Sequence, residues 1–265
     1  MLITGVSSGL GLAMANEAIA RGHRVVGTVR QDDQRRAFEE KAPGRSIARL
    51  LDVRNTAEIA ALVQELESDV GPIDVLINNA GYGLLGVTEE LDLVALREQF
   101  EVNVFAPVAL TQAVLPAMRR RRSGHILNIA SMGGMIAFPG LGAYHGTKFA
   151  LLGMTAALRQ EVAGLGIKVT AVLPGMFQSD WYGRSQTKAA HGIADYDAIV
   201  NARHEFKLGN AAAFGRVVVD AIEMDEPPGE LLVGPTAIQL IRSRLTQWTR
   251  EIDRWENLSQ AGGEG

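Results

Sequence analysis

An α/β architecture is expected for these 265 residues: one doubly wound parallel sheet, helices on both faces, a single domain over residues 1–265. Three features carry it. Apolar, β-branched runs of strand length alternate with amphipathic runs of helix length. The first such run ends directly in a glycine-rich turn that opens a helix. Each conspicuous polar residue then falls just after a strand run, where open parallel sheets place their ligand crevice. Together these describe a Rossmann-type sheet.

Met1-Leu2-Ile3-Thr4 supplies a short first strand, and Gly5-Val6-Ser7-Ser8-Gly9-Leu10-Gly11 turns it into an amphipathic stretch from Leu12 to Arg21. That order leaves backbone amides and the positive end of a helix dipole aimed at one place, which suits a pyrophosphate. A plain tight turn would use the same glycines. Further strands are expected at Arg24–Val29, Ser46–Leu51, Ile73–Asn78, His125–Ala130 and Ile167–Leu173. Helices are expected at Asp32–Lys41, Thr56–Asp69, Leu93–Arg119 and Ala143–Ala163.

After the second strand, folds that prefer NAD place an acidic residue for the ribose hydroxyls; here apolar Val29 and then Arg30 stand there. The planar fork of an arginine suits a 2′-phosphate, so NADP(H) is expected over NAD(H), which stays the alternative. Asp32 and Asp33 read as caps of the next helix. Asp52, before Val53, is placed to accept from an adenine amino group or to cap the helix through Asn55 and Thr56. In Asn78-Asn79-Ala80-Gly81 the amides tie strands together, and part of the motif walls the cofactor.

The helix from Leu93 carries an apolar stripe of core or interface. Pro107 inside it cannot donate to the carbonyl four residues earlier, so the helix should bend and leave the Asn103 main-chain oxygen to an ordered water. The same proline could be no more than a tolerated kink. Arg119 to Arg122 close the helix, complementing its dipole and facing water.

A formal charge of -4 and a pI near 5.8 argue against nucleic acid and anionic membranes as partners. The chain has no cysteine, which removes disulfides, zinc-thiolate sites and thiol nucleophiles, and fits a reducing compartment. The five histidines show no ligating spacing, so no metal is expected. No apolar run reaches the ~18 residues of a membrane span and no leader pattern opens the chain, so a cytoplasmic location is expected.

Tyr144 and Lys148, four apart at the start of an apolar helix, share one helix face. A phenol working near neutrality needs its pKa lowered by ~3 units from about 10, and a fixed cation is the natural source. Ser131 ends the fifth strand and lies thirteen residues before Tyr144, across a glycine-rich apolar loop. A hydroxyl, a phenol and an ammonium therefore converge on one crevice mouth.

In order and spacing, Thr4-Gly5-x-x-x-Gly9-x-Gly11, Asn78-Asn79-Ala80-Gly81, Asn103, Ser131, Tyr144-x-x-x-Lys148 and Pro174-Gly175 resemble the short-chain dehydrogenase/reductase family, over Leu2 to about Ser179. The glycine spacing is similar to that of its non-epimerase branch. The resemblance implies that Tyr144 donates or accepts the proton. Lys148 would lower its pKa and hold the nicotinamide ribose, Ser131 would bond the substrate oxygen, and Asn103 would hold a water in a proton relay. The cofactor would lie on Gly5, Ser7, Ser8, Gly9, Leu10 and Gly11, then Arg30, Asp52 and Val53, then Asn79, Ala80 and Gly81. Pro174, Gly175 and Ser179 would line its carboxamide beside Tyr144 and Lys148.

The implied activity is NADP(H)-dependent interconversion of a ketone or aldehyde and an alcohol. A mostly apolar wall of Gly133, Phe138, Met176, Phe177 and Trp181, with Tyr82, Leu84, Met135, Leu141 and Tyr182 nearby, points to a hydrophobic small molecule. Residues 176–209 read as a substrate lid and 236–258 as a helical extension. The long apolar helices fit a homodimer or homotetramer. The rival reading is a non-catalytic NADP(H)-binding redox sensor on the same fold.

Overall fold

A computed structural model describes residues 1–178, 185–202 and 208–262. In chain order it begins β1 (Leu2–Thr4), α1 (Gly9–Ala20), β2 (Val25–Val29), α2 (Asp32–Glu39), β3 (Ser46–Leu50), α3 (Thr56–Asp69), β4 (Val75–Asn78) and β5 (Gly83–Leu85). There follow α4 (Leu93–Phe100), a π-turn at Glu101–Phe105, α5 (Ala106–Arg121), β6 (Gly124–Ile129), α6 (Gly142–Glu161) and β7 (Ile167–Pro174). The chain closes with β8 (Gln186–Lys188), α7 (Asp197–Val200), α8 (Ala211–Glu223), β9 (Glu230–Val233) and α9 (Pro235–Ala261).

Among the described residues, seven strands form one parallel sheet in the order β3-β2-β1-β4-β6-β7-β9. The order reverses direction between β1 and β4, which fixes the crevice at their carboxyl ends. Burial on both faces explains the apolar runs: every residue of β2 and β4 is buried. On one face α1 and α8 cover the sheet through Met14, Phe214 and Val218. On the other, α3 and α5 cover it through Leu62, Leu66, Leu110 and Val114. A fully buried side chain of this kind contributes ~1.5–3 kcal/mol by leaving water.

Several expectations need correction. The helix from Leu93 runs on to Arg121 with a π-turn inside it: Pro107 has no N–H for the Asn103 carbonyl, and the Ala106 N–H reaches the Glu101 carbonyl. The rod Leu93–Arg121 is long and apolar enough to cross a membrane by length and composition. Of the stripe expected at residues 93, 96, 100, 104, 108, 115 and 118, only Val104 and Met118 are buried and Leu93 is exposed; the rod meets the core through Ala106, Leu110, Val114 and Met118. Of the four arginines, Arg121 is not simply solvated; it grips Glu67 at 2.7 Å and donates to the Ile73 carbonyl. Gln31, not Asp32 or Asp33, is the N-cap of α2, and the two acids lie in its first turn, where the dipole favours them. Asp52 does not cap α3 either, because Arg54 occupies it.

Candidate active site

The carboxyl ends of β1, β2, β4, β6 and β7 open into one cleft of about 1260 Å³. At one end, Gly5 and Gly9 take positive φ of 72° and 58°, conformations that glycine adopts freely. Gly11 must also be glycine: a Cβ there would sit 2.1 Å from the Gly5 carbonyl and 2.4 Å from the Asn79 amide nitrogen. The turn is tied down by the Gly5 N–H to Thr28 and by the Asn79 amide, which donates to the Thr4 and Gly5 carbonyls. Ser8, the N-cap of α1, makes no side-chain cap bond, so it offers the first amides of α1 no side-chain acceptor. These observations fit a dinucleotide pyrophosphate on the turn. Thr28, Arg30, Gln34, Asp52 and Val53 line the cleft beyond it, where an adenosine half belongs.

Asp52 is engaged by Arg54 through both carboxylate oxygens, the shortest contact being 2.6 Å, which holds its carboxyl below the usual range. Its offer to an adenine amino group is thus shared with an arginine that the sequence reading passed over. Asn78 ties β4 to β6 by donating to Asn128 at 2.8 Å, and Asn128 donates in turn to Thr155 of α6. This is the strand-tying expected of the amides.

At the other end, Ser131, Tyr144 and Lys148 meet on one wall. Ser131 leaves β6 in extended backbone, and its Oγ accepts the Gly133 N–H at 3.0 Å. The Ser131 side chain acts on the Tyr144 phenol and favours its charged form. Lys148 Nζ donates to the Ile129 carbonyl at 2.8 Å and stands 5.8 Å from the centre of the Tyr144 ring. Lys148 does not lower the tyrosine as expected. Burial dominates both groups, pushing Tyr144 up to about 12, against the opposing influence of Ser131, and Lys148 down to about 8.

Asn103 stands apart from the cleft lining. Its amide braces Tyr82, accepting the Tyr82 N–H at 3.1 Å and donating to the Tyr82 carbonyl at 2.8 Å, and it donates to Thr147 at 3.0 Å. Thr147 then donates to the Tyr144 carbonyl, so Asn103 reaches Tyr144 through the backbone of α6. Buried Gln99 adds a second bond to the Tyr82 carbonyl.

His145 was not singled out from the sequence. Its buried ring bonds the Gly133 carbonyl through Nδ1 at 2.9 Å and accepts the Phe138 N–H through Nε2 at 3.0 Å. Those partners fix a neutral tautomer with the proton on Nδ1, and they clamp both ends of the loop that carries Gly133 and Phe138. Burial lowers its pKa in keeping. A helical position directly after Tyr144, facing a glycine loop, was the one signal available.

Every other predicted site residue that the structure describes lines this cleft, Ala80, Gly81, Pro174, Gly175 and Met176 included, except Met135, which packs instead against the core group of Met132, Ile136 and Leu173. Phe177 reaches it only in part, because its ring packs edge-on against Phe214 in the core with centroids 5.1 Å apart. Ser179, Trp181 and Tyr182 lie outside the described residues. So does part of the 176–209 segment; its described stretch from Ser185 to Ala190 lines the cleft. That stretch is fixed by β8, which pairs with β5 from Gly83↔Gln186 to Leu85↔Lys188.

A family model described as short chain dehydrogenase matches residues 1–190. The oxidoreductase BOA17 of Botryotinia fuckeliana is 35% identical over 267 residues, 98% of this chain and 97% of that protein. The 3-ketodihydrosphingosine reductase of Bacteroides thetaiotaomicron is 33% identical over 261 residues, 94% of this chain and 92% of that protein. Among solved structures, a short-chain dehydrogenase from Streptomyces avermitilis superposes with a TM-score of 0.91 at 34% identity, covering 98% of this chain and 97% of its own. Serine dehydrogenase in its closed form, complexed with NADP+, superposes with a TM-score of 0.77 at 25% identity, covering 88% of this chain and 94% of its own. Likeness that runs the length of both partners, over a cleft with a glycine turn at one end and Ser131, Tyr144 and Lys148 at the other, has one consequence: the chain belongs to the short-chain dehydrogenase/reductase family of NAD(P)-dependent oxidoreductases.

Proposed function

We propose that the protein interconverts a hydrophobic ketone or aldehyde and its alcohol, with NADP(H) as cofactor. One observation carries the reading: Ser131 and Tyr144 share a cleft wall with Lys148, and the same cleft runs on to the glycine turn. The nicotinamide, when bound, supplies or takes the hydride at carbon. Tyr144 Oη gives its proton to the carbonyl oxygen, or takes it from the alcohol. Burial keeps this phenol protonated, so the proton that reduction needs is in place, while the raised pKa makes that proton harder to give up. Ser131 Oγ already accepts from Gly133, so its own hydrogen is directed at oxygen, on Tyr144 or on substrate. Both donors then meet the charge that develops on the oxygen. Lys148, held by the Ile129 carbonyl, stands behind the phenol and binds the nicotinamide ribose. Asn103 is a positioning residue through Thr147, and its main-chain oxygen, which Pro107 cannot bond, holds the water of the proton relay.

The apolar part of the wall, with Leu84, Phe138 and Met176, supports a hydrophobic substrate, as does the relative named as a 3-ketodihydrosphingosine reductase. Arg30 at the adenosine end supports the 2′-phosphate of NADP(H), as does the neighbour crystallised with NADP+. Exposed Phe105 and, on α6, Phe149 and Met154 support a homo-oligomer across the α4–α6 layer.

The test is absorbance loss with NADPH and with NADH against a panel of apolar and charged ketones and aldehydes. Turnover of apolar carbonyls with NADPH is the expected result; reaction of highly charged substrates alone refutes the substrate class. Tyr144→Phe should cut turnover ~10²–10⁴-fold with NADPH affinity retained, and unchanged turnover removes Tyr144 from the mechanism.

A further inference from the structure

Two pieces of chain make the wall that carries Ser131, Tyr144 and Lys148: the loop that follows β6, and α6. The sheet does not set their register, because the chain has left β6 at Ile129. Glycines let the loop lie close on the helix. A Cβ on Gly134 would come within 2.8 Å of the Lys148 carbonyl, and one on Gly133 within 2.5 Å of His145 Nδ1. Beyond Ile136 the loop rises to the surface, where Ala137 and Pro139 are exposed and Phe138 between them is half-buried on the cleft.

One ring meets both stretches of this loop. The Phe138 N–H can only donate, so His145 Nε2 accepts it and the ring proton sits on Nδ1, directed at the Gly133 carbonyl. Gly133 passes the contact on, since its own N–H donates to Ser131 Oγ. That occupies one lone pair of the serine hydroxyl and limits where its hydrogen points. The other ring nitrogen places the Phe138 backbone, with the two rings 5.8 Å apart and tilted by 49°. His145 is 4% exposed, so water does not compete for either bond. An apolar side chain of that volume would fill the space and leave the Gly133 carbonyl and the Phe138 N–H unmet. The ring also follows Tyr144 directly on α6, so loop and proton donor share one support.

Resting on the reaction proposed above, we infer that His145 is a positioning residue with two separable tasks. Through Nδ1 and Gly133 it aims the Ser131 hydroxyl. Through Nε2 it sets the Phe138 part of the substrate wall, and with it the preference for bulky apolar carbonyls.

Two amide side chains separate the tasks. The Asn nitrogen stands where Nδ1 does, so His145→Asn keeps the donor to Gly133 and loses the acceptor for Phe138. Gln reaches as far as Nε2, so His145→Gln keeps the acceptor and loses the donor. In steady-state kinetics with NADPH, His145→Asn should raise KM for a bulky apolar ketone ~2–10-fold, the worth of one hydrogen bond, with kcat and the KM of the smallest reactive ketone nearly kept. His145→Gln should cut kcat ~10-fold on both ketones with KM nearly kept, less than the ~10²–10³-fold for deleting a transition-state donor outright. In a Phe138→Ala background, which leaves the backbone N–H in place, His145→Asn should add nothing to KM. Equal losses in the two variants, or a rise in KM that persists without the Phe138 ring, overturn the inference. Amide hydrogen exchange needs no turnover: the Phe138 N–H should be protected in wild type and in His145→Gln and should exchange ~10-fold faster in His145→Asn, with the β6 amides unchanged as the check on folding. Unchanged protection in His145→Asn overturns the inference whatever the kinetics show. A wild type that reduces no carbonyl sinks the proposed reaction instead, and with it the two kinetic tasks.

Discussion

Burial of Lys148 works against its charge. The residue is 6% exposed, its ammonium is held by one carbonyl, and its pKa falls from 10.5 to about 8. Below pH 8 the folded protein carries that charge at a cost of about 3 kcal/mol. Between pH 8 and 10.5 the unfolded chain holds a proton that the folded chain has shed, so this group's contribution makes stability rise with pH. Lys148→Met removes the titration and leaves the Ile129 carbonyl without its donor. The stability gap between wild type and Lys148→Met should therefore shift by about 3 kcal/mol in favour of wild type from pH 7 to 10.5, in urea unfolding at stepped pH; parallel curves would discard the cause. Arg30 sets the other residue-scale prediction. Arg30→Glu should invert the NADPH-to-NADH ratio of kcat/KM, by ~10–100-fold for one charge-assisted bond, and an unmoved ratio would take Arg30 out of cofactor choice. Ser131, Tyr144 and Lys148 were readable in advance because strand ends and helical spacing alone bring them together. The outcome of their electrostatics was not, because it turns on burial and on where Nζ points. His145 and Arg54 were passed over because His145 works on backbone groups of a loop whose path the sequence does not fix, and Arg54 through a carboxylate assigned another task.

At the scale of elements, the segment over the cleft is fastened by one acid. Glu90 accepts the Gly192 and Ile193 N–H groups at 2.7 and 2.9 Å through one oxygen and pairs with His191 Nδ1 at 2.7 Å through the other. The far nitrogen of His191 meets Asp197 at 2.9 Å, and Tyr196 donates to Glu89 at 2.7 Å. Glu90 and Asp197 raise the His191 pKa, and the Gly192 amide leads the groups that lower that of Glu90. A histidine raised in the folded state contributes fully below 6.5 and stops contributing as pH climbs through its folded pKa. The substrate KM should therefore rise over that interval as the clasp weakens. Glu90→Gln should raise KM severalfold with kcat nearly kept, and should flatten the pH profile. Steady-state kinetics from pH 5.5 to 8.5 will show it, and a KM indifferent to both pH and Glu90 would mean that the clasp does not govern access. None of this clasp was readable from the chain, because Glu90 and His191 are 101 residues apart. Nor were β9, whose four residues show no alternation, and the short β5–β8 pair. α8 did leave a trace, with Asn210 capping it and Phe214, Val218 and Ala221 on its buried face.

For the whole molecule, the cofactor turn and the late-added α8 are joined through a single helix. α1 presents Gly11 to the turn at one end, and its flank meets α8 at Gly215, where a Cβ would lie 2.6 Å from the Ala13 carbonyl. Neither neighbour can yield, since both are backbone. The two glycines nevertheless serve different ends of the fold. Gly215→Ala forces α8 off α1 and should cost ~1–3 kcal/mol by overpacking, a fall of roughly 2–12 °C in Tm for a domain of this size. The turn itself is held from β1, β2 and β4 through Thr4, Thr28 and Asn79, so NADPH should still stabilise this variant by the same increment, ~2.7 kcal/mol at a hundredfold excess over Kd. Gly11→Ala drives a Cβ into the Gly5 carbonyl and the Asn79 amide, so it should lose both the stability and the NADPH increment. Thermal melts of both variants with and without NADPH separate the cases. If Gly215→Ala loses its ligand increment as well, α1 transmits strain along its length and the turn is not independently anchored.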